Sequence, residues 1–308
     1  MKKPMKIRTI LTLIFIAIVL TMISLWMGQQ AYSWFPPQAS AESKLIDDLF
    51  SFLVTLGTFI FLGIVGTLTY SVLFQQAGKY DSSDGPPIEG NVTLEIVWTT
   101  IPFLLVVWIA SYSYHTYDQM SILGPMEHLH RSMATAEAAP LNDTSKLMAD
   151  RDAIEPIEVH SRQWAWEFRY PNSNVTSTEL HLPNNQRVKL TLQSEDVLHG
   201  FYIPAFRVKQ DIIPGRVIDF EFTPIREGKY RLRDSQYSGT YFAAMQTDVV
   251  VESPEAYQKW LIAAAAQPPT AAYNRAFAEY NRAQNPISAG WKTIVPASPP
   301  VVNYSSSQ

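Results

Sequence analysis

The chain contains no cysteine among its 308 residues. That absence excludes disulfides, thiolate metal sites, a catalytic thiol and a bacterial lipid-anchored cysteine together. It does not fix the compartment, because a chain without thiols tolerates either redox environment. Charge is also scarce: 17% of residues are Asp, Glu, Lys or Arg, against 47% hydrophobic, which is too apolar for a disordered chain. There is no basic excess. A net charge of −4 and a pI near 5.9 leave no electrostatic footprint for nucleic acid. A mean hydropathy of −0.04 is the average expected of an apolar membrane part joined to a polar soluble part.

The apolar residues are concentrated in three runs. Thr9 to Met27 is uncharged and long enough to cross a hydrocarbon core of ~30 Å at ~1.5 Å per residue. Lys2, Lys3, Lys6 and Arg8 precede it, so the N-terminus is expected in the cytoplasm. A signal peptide cleaved near Ala39-Ser40-Ala41 is the competing reading. Against it stand the length of the run and the stretch with Trp34 and Pro36-Pro37 before that site. Leu49 to Phe74 and Ile96 to Tyr114 are two further uncharged spans, with Pro102 near the start of the last. Trp26, Trp34, Phe35, Tyr112, Tyr114 and Tyr117 suit interfacial aromatic belts. Three crossings from inside leave everything after about residue 116 outside the cytoplasm.

Residues 117–155 show no sustained period and read as an irregular insert containing His128 and His130, with His115 nearby. Solvated histidines explain these better than a metal clip. Period-two alternation comes next. His160, Arg162, Trp164, Trp166, Phe168 and Tyr170 fall on one face, and Val188, Leu190, Leu192 and Ile218, Phe220, Phe222 alternate with polar residues. Turn signals at Asn184-Asn185, Pro214-Gly215 and Glu227-Gly228 separate the runs, so about seven short strands are expected, as a sandwich or barrel. Ser253-Pro254-Glu255 reads as the start of a helix to about Ala266. Pro268-Pro269 breaks it, Thr270 is a candidate cap for a second helix to about Ala283, and the chain ends in a Pro/Ser-rich tail, expected to be extended or disordered. The organisation is therefore 1–44 first helix and outer loop, 45–116 helical hairpin, 117–155 insert, 156–252 β domain and 253–308 C-terminal helices and tail.

Specific residues carry a resemblance. Leu94-Glu95-Ile96-Val97-Trp98-Thr99-Thr100-Ile101-Pro102 resembles the start of the second conserved helix of haem–copper terminal oxidase subunit II. Gln163-Trp164-Ala165-Trp166 with Tyr170 resembles that family's aromatic strand. Ser194-Glu195-Asp196-Val197-Leu198-His199, Ile203-Pro204-Ala205-Phe206 and Lys209-Gln210-Asp211-Ile212-Ile213-Pro214-Gly215-Arg216 match it in order and spacing. The resemblance spans roughly residues 45–260. It implies a two-helix membrane hairpin, here with an extra N-terminal helix, carrying an extracytoplasmic cupredoxin-like Greek-key sandwich and C-terminal helices.

In copper-bearing members the segment Cys-x-Glu-x-Cys-x-x-x-His-x-x-Met holds a dinuclear copper centre together with an earlier histidine. The corresponding residues here are Asp234, Gln236, Ser238, Phe242 and Met245, with His199 as the earlier position. Hard oxygens do not replace bridging thiolates, and a phenyl ring cannot ligate. The resemblance therefore implies relict positions that bind no copper and no metal site in this chain. Ser235 to Met245 resembles the quinol-oxidase branch, and the whole chain resembles subunit II of a copper-less alternative terminal oxidase of cyanobacteria.

The function implied by this resemblance is that of a non-catalytic subunit of a quinol-driven, proton-translocating oxidase that reduces dioxygen to water. Haems and copper would lie in partner subunit I. Subunit III, membrane lipid and, through the complex, membrane quinol are the other implied partners. The implied setting is a bacterial cell membrane or thylakoid, with the soluble domain on the periplasmic or lumenal side. Glu95 implies a proton-uptake position, though a helix-terminal carboxylate is also favoured by the dipole alone. Trp164 and Trp166 read as packing residues, since no metal would lie behind Trp164 to take an electron. Asp211 and Arg216 imply either contact with subunit I or a turn salt bridge. Gln236 replaces a magnesium-holding glutamate with a weaker oxygen ligand. Two rival functions stay open: an oxidase still fed by cytochrome c or another soluble donor, and a non-enzymatic assembly module.

Overall fold

The computed structural model of the chain describes residues 7–76, 78, 80, 90–120, 155–283 and 294–305. His128, His130 and most of the insert lie outside the described residues. The chain divides into two compact units, one of residues up to 35 with 45–119, the other of 36–44 with the chain from 120 onward.

The first unit is built from α1 (Ile7–Ala31), α2 (Ala41–Phe74, from residue 45 on) and α3 (Val92–Met120). All three are long and apolar enough to cross a membrane. Apolar side chains point outward all round, as Phe15, Leu68 and Val106 do, which suits a lipid solvent. Where α1 meets α2 the approach is too close for a side chain: a Cβ on Gly28 would lie 1.9 Å from Thr55 Oγ1 and 3.0 Å from the Ser51 carbonyl oxygen. Ser51 Oγ donates to the Gly28 carbonyl at 2.9 Å, the small-residue packing typical of membrane helices. Phe52 meets both Trp108 and Tyr112 edge-on, with ring centroids 5.1 Å apart in each pair. His115 lies within α3 rather than in a loop, its Nε2 3.0 Å from Gln119 Nε2.

The second unit is a sandwich of two five-stranded sheets. The strands are β1 (Glu155–Arg162), β2 (Ala165–Tyr170), β3 (Val175–Ser177), β4 (Leu180–Pro183), β5 (Val188–Ser194), β6 (His199–Ile203), β7 (Val208–Ile212), β8 (Ile218–Phe222), β9 (Gly228–Asp234) and β10 (Gln246–Glu252). One sheet runs β3-β2-β1-β5-β8 and the other β4-β10-β9-β6-β7. The chain crosses repeatedly between the sheets, so β1 and β5 pair in parallel, as do β4 and β10. This is the Greek-key sandwich of the cupredoxin type. Leu190, Leu192, Phe201, Phe220 and Phe222 are fully buried between the sheets, each worth about 1.5–3 kcal/mol over exposure.

The alternating runs in β5 and β8 face inward as the period demands. The run from 159 to 170 does not keep one face. It folds back at Gln163-Trp164 into an antiparallel hairpin in which Val159 opposes Phe168 and Ser161 opposes Trp166. Opposed residues share a face, so β1 buries Ile157, Val159 and Ser161 while β2 buries Trp166, Phe168 and Tyr170. His160 and Arg162 lie on the other, half-buried side.

Residues 36–44 belong to the sandwich. The Ala39 amide donates to the Ala205 carbonyl at 3.1 Å and the Ala41 amide to the Thr223 carbonyl at 2.9 Å. Ser40 Oγ donates to the Phe206 carbonyl at 2.9 Å.

Beyond β10, Ser253 caps α4 (Pro254–Ala265), its Oγ accepting from the Ala256 amide. The cap of α5 (Arg275–Ala283) is Asn274, not Thr270, because Asn274 Oδ1 accepts from the Phe277 amide at 2.9 Å. Thr270 lies instead in β11 (Thr270–Ala271), which pairs with β12 (Val301–Val302). The tail is therefore ordered where described. Val302 is buried and Tyr304 bridges to Ser177 on the β3 edge.

Candidate functional site

β6 and β9 are neighbours, and their register sets Asp234, the last residue of β9, opposite Phe201, so that it shares a face with His199 two residues earlier on β6. Close approach of the strand ends depends on Gly200, where a Cβ would meet Ser235 Oγ at 2.2 Å and the Gln236 amide nitrogen at 2.9 Å. His199 and Asp234 are thereby forced together, both with fully buried side chains.

Asp234 uses all of its acceptor capacity. Oδ1 accepts from the Gly200 amide at 2.7 Å and the Gln236 amide at 3.0 Å. Oδ2 accepts from Ser238 Oγ at 2.7 Å and stands 2.8 Å from His199 Nδ1. The second ring nitrogen, Nε2, is 3.0 Å from Asp196 Oδ1. Ionised carboxylates only accept, so an imidazole between two of them donates from both nitrogens and is charged. Burial pushes the His199 pKa down, but hydrogen bonds to Asp196 and Asp234 outweigh it and hold it above its ordinary value. Burial likewise pushes Asp196 up, and it is overruled by His199 and by the amides of Gln163 and Val197, leaving that carboxyl below its ordinary value.

Met245 and Phe242 lie in the segment between β9 and β10. Met245 is buried, and its carbonyl accepts from the Asp234 amide at 3.0 Å and from Trp166 Nε1 at 3.3 Å. The Trp166 ring lies 6.2 Å from that of His199. Phe242 opens a short 3₁₀ turn, Phe242–Ala244, and packs edge-on against Tyr237 at 5.3 Å. The donor set is thus one imidazole with both nitrogens engaged, a carboxylate, a hydroxyl and a thioether. It does not fit a dinuclear copper centre, which needs bridging thiolates.

Trp164 is a packing residue. It is 2% exposed, its Nε1 donates to the Ser238 carbonyl at 3.1 Å, and Tyr241 meets it edge-on at 5.1 Å. The C-terminal segment closes over its backbone: the Ala297 amide donates to the Gln163 carbonyl at 2.6 Å, and Asn274 Nδ2 to the Trp164 carbonyl at 3.0 Å. Trp164→Phe removes the Nε1 donor together with part of a buried indole ring, while Gln163 Nε2 still donates to the Ser238 carbonyl at 2.6 Å. The lost hydrogen bond and the cavity left behind are together expected to cost about 2–3 kcal/mol, read as a drop in the melting temperature of the purified chain.

Asp211 does not pair with Arg216. Its Oδ1 is 2.5 Å from Lys209 Nζ, and its Oδ2 accepts from Gln236 Nε2 at 3.0 Å. Gln236 thus ties the loop after β9 to β7. The Arg216 side chain is exposed at the Pro214-Gly215 turn, which its amide closes onto the Ile213 carbonyl at 3.1 Å. Glu95 stands exposed in the first turn of α3, after an Asn91 whose Oδ1 accepts from the Leu94 amide at 3.2 Å.

Asp196 is a site residue that the motifs alone do not single out as acting. Its signal is its place three residues before His199, behind a Ser194 whose Oγ accepts from the Asp196 amide at 3.4 Å. His181 is likewise not marked by any motif. It stacks on Trp260 at 3.8 Å and pairs with Glu252 at 3.0 Å, fastening α4 to the sandwich.

Residues 24–116 match the family described as cytochrome c oxidase subunit II, transmembrane domain, and residues 174–253 its periplasmic domain. The chain is 34% identical to cytochrome c oxidase subunit 2 of Synechocystis over 87% of its own length and 85% of that protein. It is 35% identical to cytochrome c oxidase subunit 2 of Thermostichus vulcanus over 79% and 82%, and 26% identical to quinol oxidase subunit 2 of Bacillus subtilis over 73% and 63%. The chain belongs to the subunit II family of haem–copper oxidases, as a multi-pass membrane protein with an extracytoplasmic domain.

Proposed function

We propose that this chain is a copper-less subunit II of a quinol-driven oxidase that reduces dioxygen to water and translocates protons. The observation that carries the reading is the donor set: Asp234, Ser238 and Phe242 stand where two thiolates and an imidazole would be needed, and His199 is consumed by Asp196 and Asp234. No cysteine elsewhere in the chain can supply a thiolate. Burial of Trp164 beneath the C-terminal segment also speaks against that ring as an electron-receiving surface. Haems and the oxygen-reducing copper then belong to subunit I, which the chain braces in the membrane, with subunit III as a further partner. Asp211 and Arg216 are the residues proposed to lie toward subunit I.

The test is the purified complex: it should oxidise quinol and not reduced cytochrome c, and metal analysis should account for all copper in subunit I. Rapid cytochrome c oxidation, or two further coppers per complex, would sink the reading. A soluble donor is the second reading, favoured by the names of the relatives at 34–35% identity. The Trp164→Phe variant separates them, since turnover should be unchanged unless that ring passes electrons.

Glu95 is proposed to gather protons for subunit I, from its exposed place at the end of a membrane helix. Glu95→Gln should slow turnover by about tenfold or more, as loss of one protonatable group from a transfer path does, with assembly intact. Equal turnover across pH in the assembled variant would leave Glu95 as a helix-terminal carboxylate only.

A further inference from the structure

A cavity of about 240 Å³ lies in the sandwich unit between the β9–β10 pair and the segment leading into α5. Its wall carries two guanidiniums, Arg231 from β9 and Arg275 from the first residue of α5, together with Gln246 and Tyr273, and Trp164 borders it. Among the described residues no Asp or Glu lines it, although the chain as a whole has a net charge of −4.

Each guanidinium is steadied by one carboxylate outside the cavity. Arg231 Nη1 is 3.3 Å from Asp248 Oδ1, and Arg275 Nε donates to Glu279 Oε1 at 2.7 Å. Among the described residues neither has another ion-pair partner, so most of the five donors of each fork stay available. Two guanidiniums that line one concavity and keep free N–H donors are complementary to the oxygens of an anion. A planar fork matches the oxygens of phosphate or carboxylate better than it matches a spherical ion. Gln246 commits Nε2 to the Ala243 carbonyl at 2.8 Å, which leaves its amide oxygen for a hydroxyl group. The volume is below the ~300–1,000 Å³ of ordinary ligand pockets, too small for a nucleotide.

We propose that this cavity binds a small dianion of the phosphate or phosphate-monoester class, held between Arg231 and Arg275. Calorimetry on the purified complex in neutral-lipid nanodiscs tests this with inorganic phosphate, chloride at matched ionic strength, and glycerol phosphate. Saturable phosphate binding that chloride does not reproduce is expected. It should weaken by about tenfold or more in Arg231→Gln/Arg275→Gln and by less in Arg231→Lys, which keeps the charge and loses the fork. Phosphate heats equal to those of chloride in the unaltered complex would overturn the proposal without any variant. So would a folded double variant that binds phosphate as tightly as the unaltered complex. Nanodiscs containing phosphatidylglycerol identify the source: competition with phosphate assigns the site to a lipid headgroup, and no competition assigns it to a soluble phosphate. Binding of a short dicarboxylate in preference to phosphate would overturn the ligand class.

Discussion

Asp234→Ala is expected to lower the unfolding free energy of the sandwich by about 3–5 kcal/mol, the range for breaking a buried ion pair from one side. The carboxylate serves four donors at once, two backbone amides, a hydroxyl and His199. Alanine leaves a buried imidazolium with one partner and two amides with none. Asp234→Asn should cost less, about 1.5–3 kcal/mol, since the amide keeps one acceptor oxygen but gives up the charge. Asp219→Ala removes the partner of Lys189 at a half-buried pair and should cost no more than about 1 kcal/mol. Urea unfolding of the purified chain, followed by near-ultraviolet circular dichroism, measures all three. An Asp234→Ala variant no weaker than Asp219→Ala would mean that the network is incidental to the fold.

The same network sets a pH window. The His199 pKa is raised from 6.5, so its contribution is complete below that value and lost as pH rises through the folded one. The Asp196 pKa is lowered from 3.8, so its contribution is complete above that value and lost as pH falls through the folded one. Stability should therefore be greatest between these limbs. In Asp234→Asn, with one carboxylate fewer beside the imidazole, the alkaline limb should begin at lower pH.

How much of the fold and site is legible in the sequence depends on how local the determining contact is. The three membrane helices follow from uninterrupted apolar length, and the inward faces of β5 and β8 from strict alternation. The run through Trp164 misleads because periodicity is blind to a chain reversal: alternation continues through Gln163-Trp164 while the strand turns back on itself. Thr270 and Asn274 are both acceptable caps by residue type, and the pairing of β11 with a strand thirty residues on decides between them. The chemistry of positions 234, 238 and 242 is plain from the residues alone. What those residues contact is not, because His199 and Asp234 are 35 residues apart and meet through the pairing of β6 with β9.

That register gives the geometric basis for reversing the substitution. Asp234→Cys, Ser238→Cys and Phe242→His combined with Gln236→Glu should confer copper binding on the chain. Ser238 Oγ lies 2.7 Å from Asp234 Oδ2, which lies 2.8 Å from His199 Nδ1, so two thiolates at 234 and 238 would converge beside that nitrogen. Removing Asp234 frees Nδ1, while Nε2 keeps its contact with Asp196 at 3.0 Å. An outer carboxylate on the second nitrogen is the arrangement that orients a metal-bound imidazole. The thiolates supply the softness that the present oxygens lack, and binding should raise stability by favouring the folded state. Either cysteine alone should fail, because one thiolate cannot bridge two metals and a hard oxygen opposite it favours harder ions. The readout is an intense visible copper–thiolate absorption in the fourfold variant, absent from both single-cysteine versions. A fourfold variant that folds, keeps its sandwich and stays colourless with added copper would show that the loop from 235 to 245 has moved away from ligating geometry, and that restoring the residues does not restore the site.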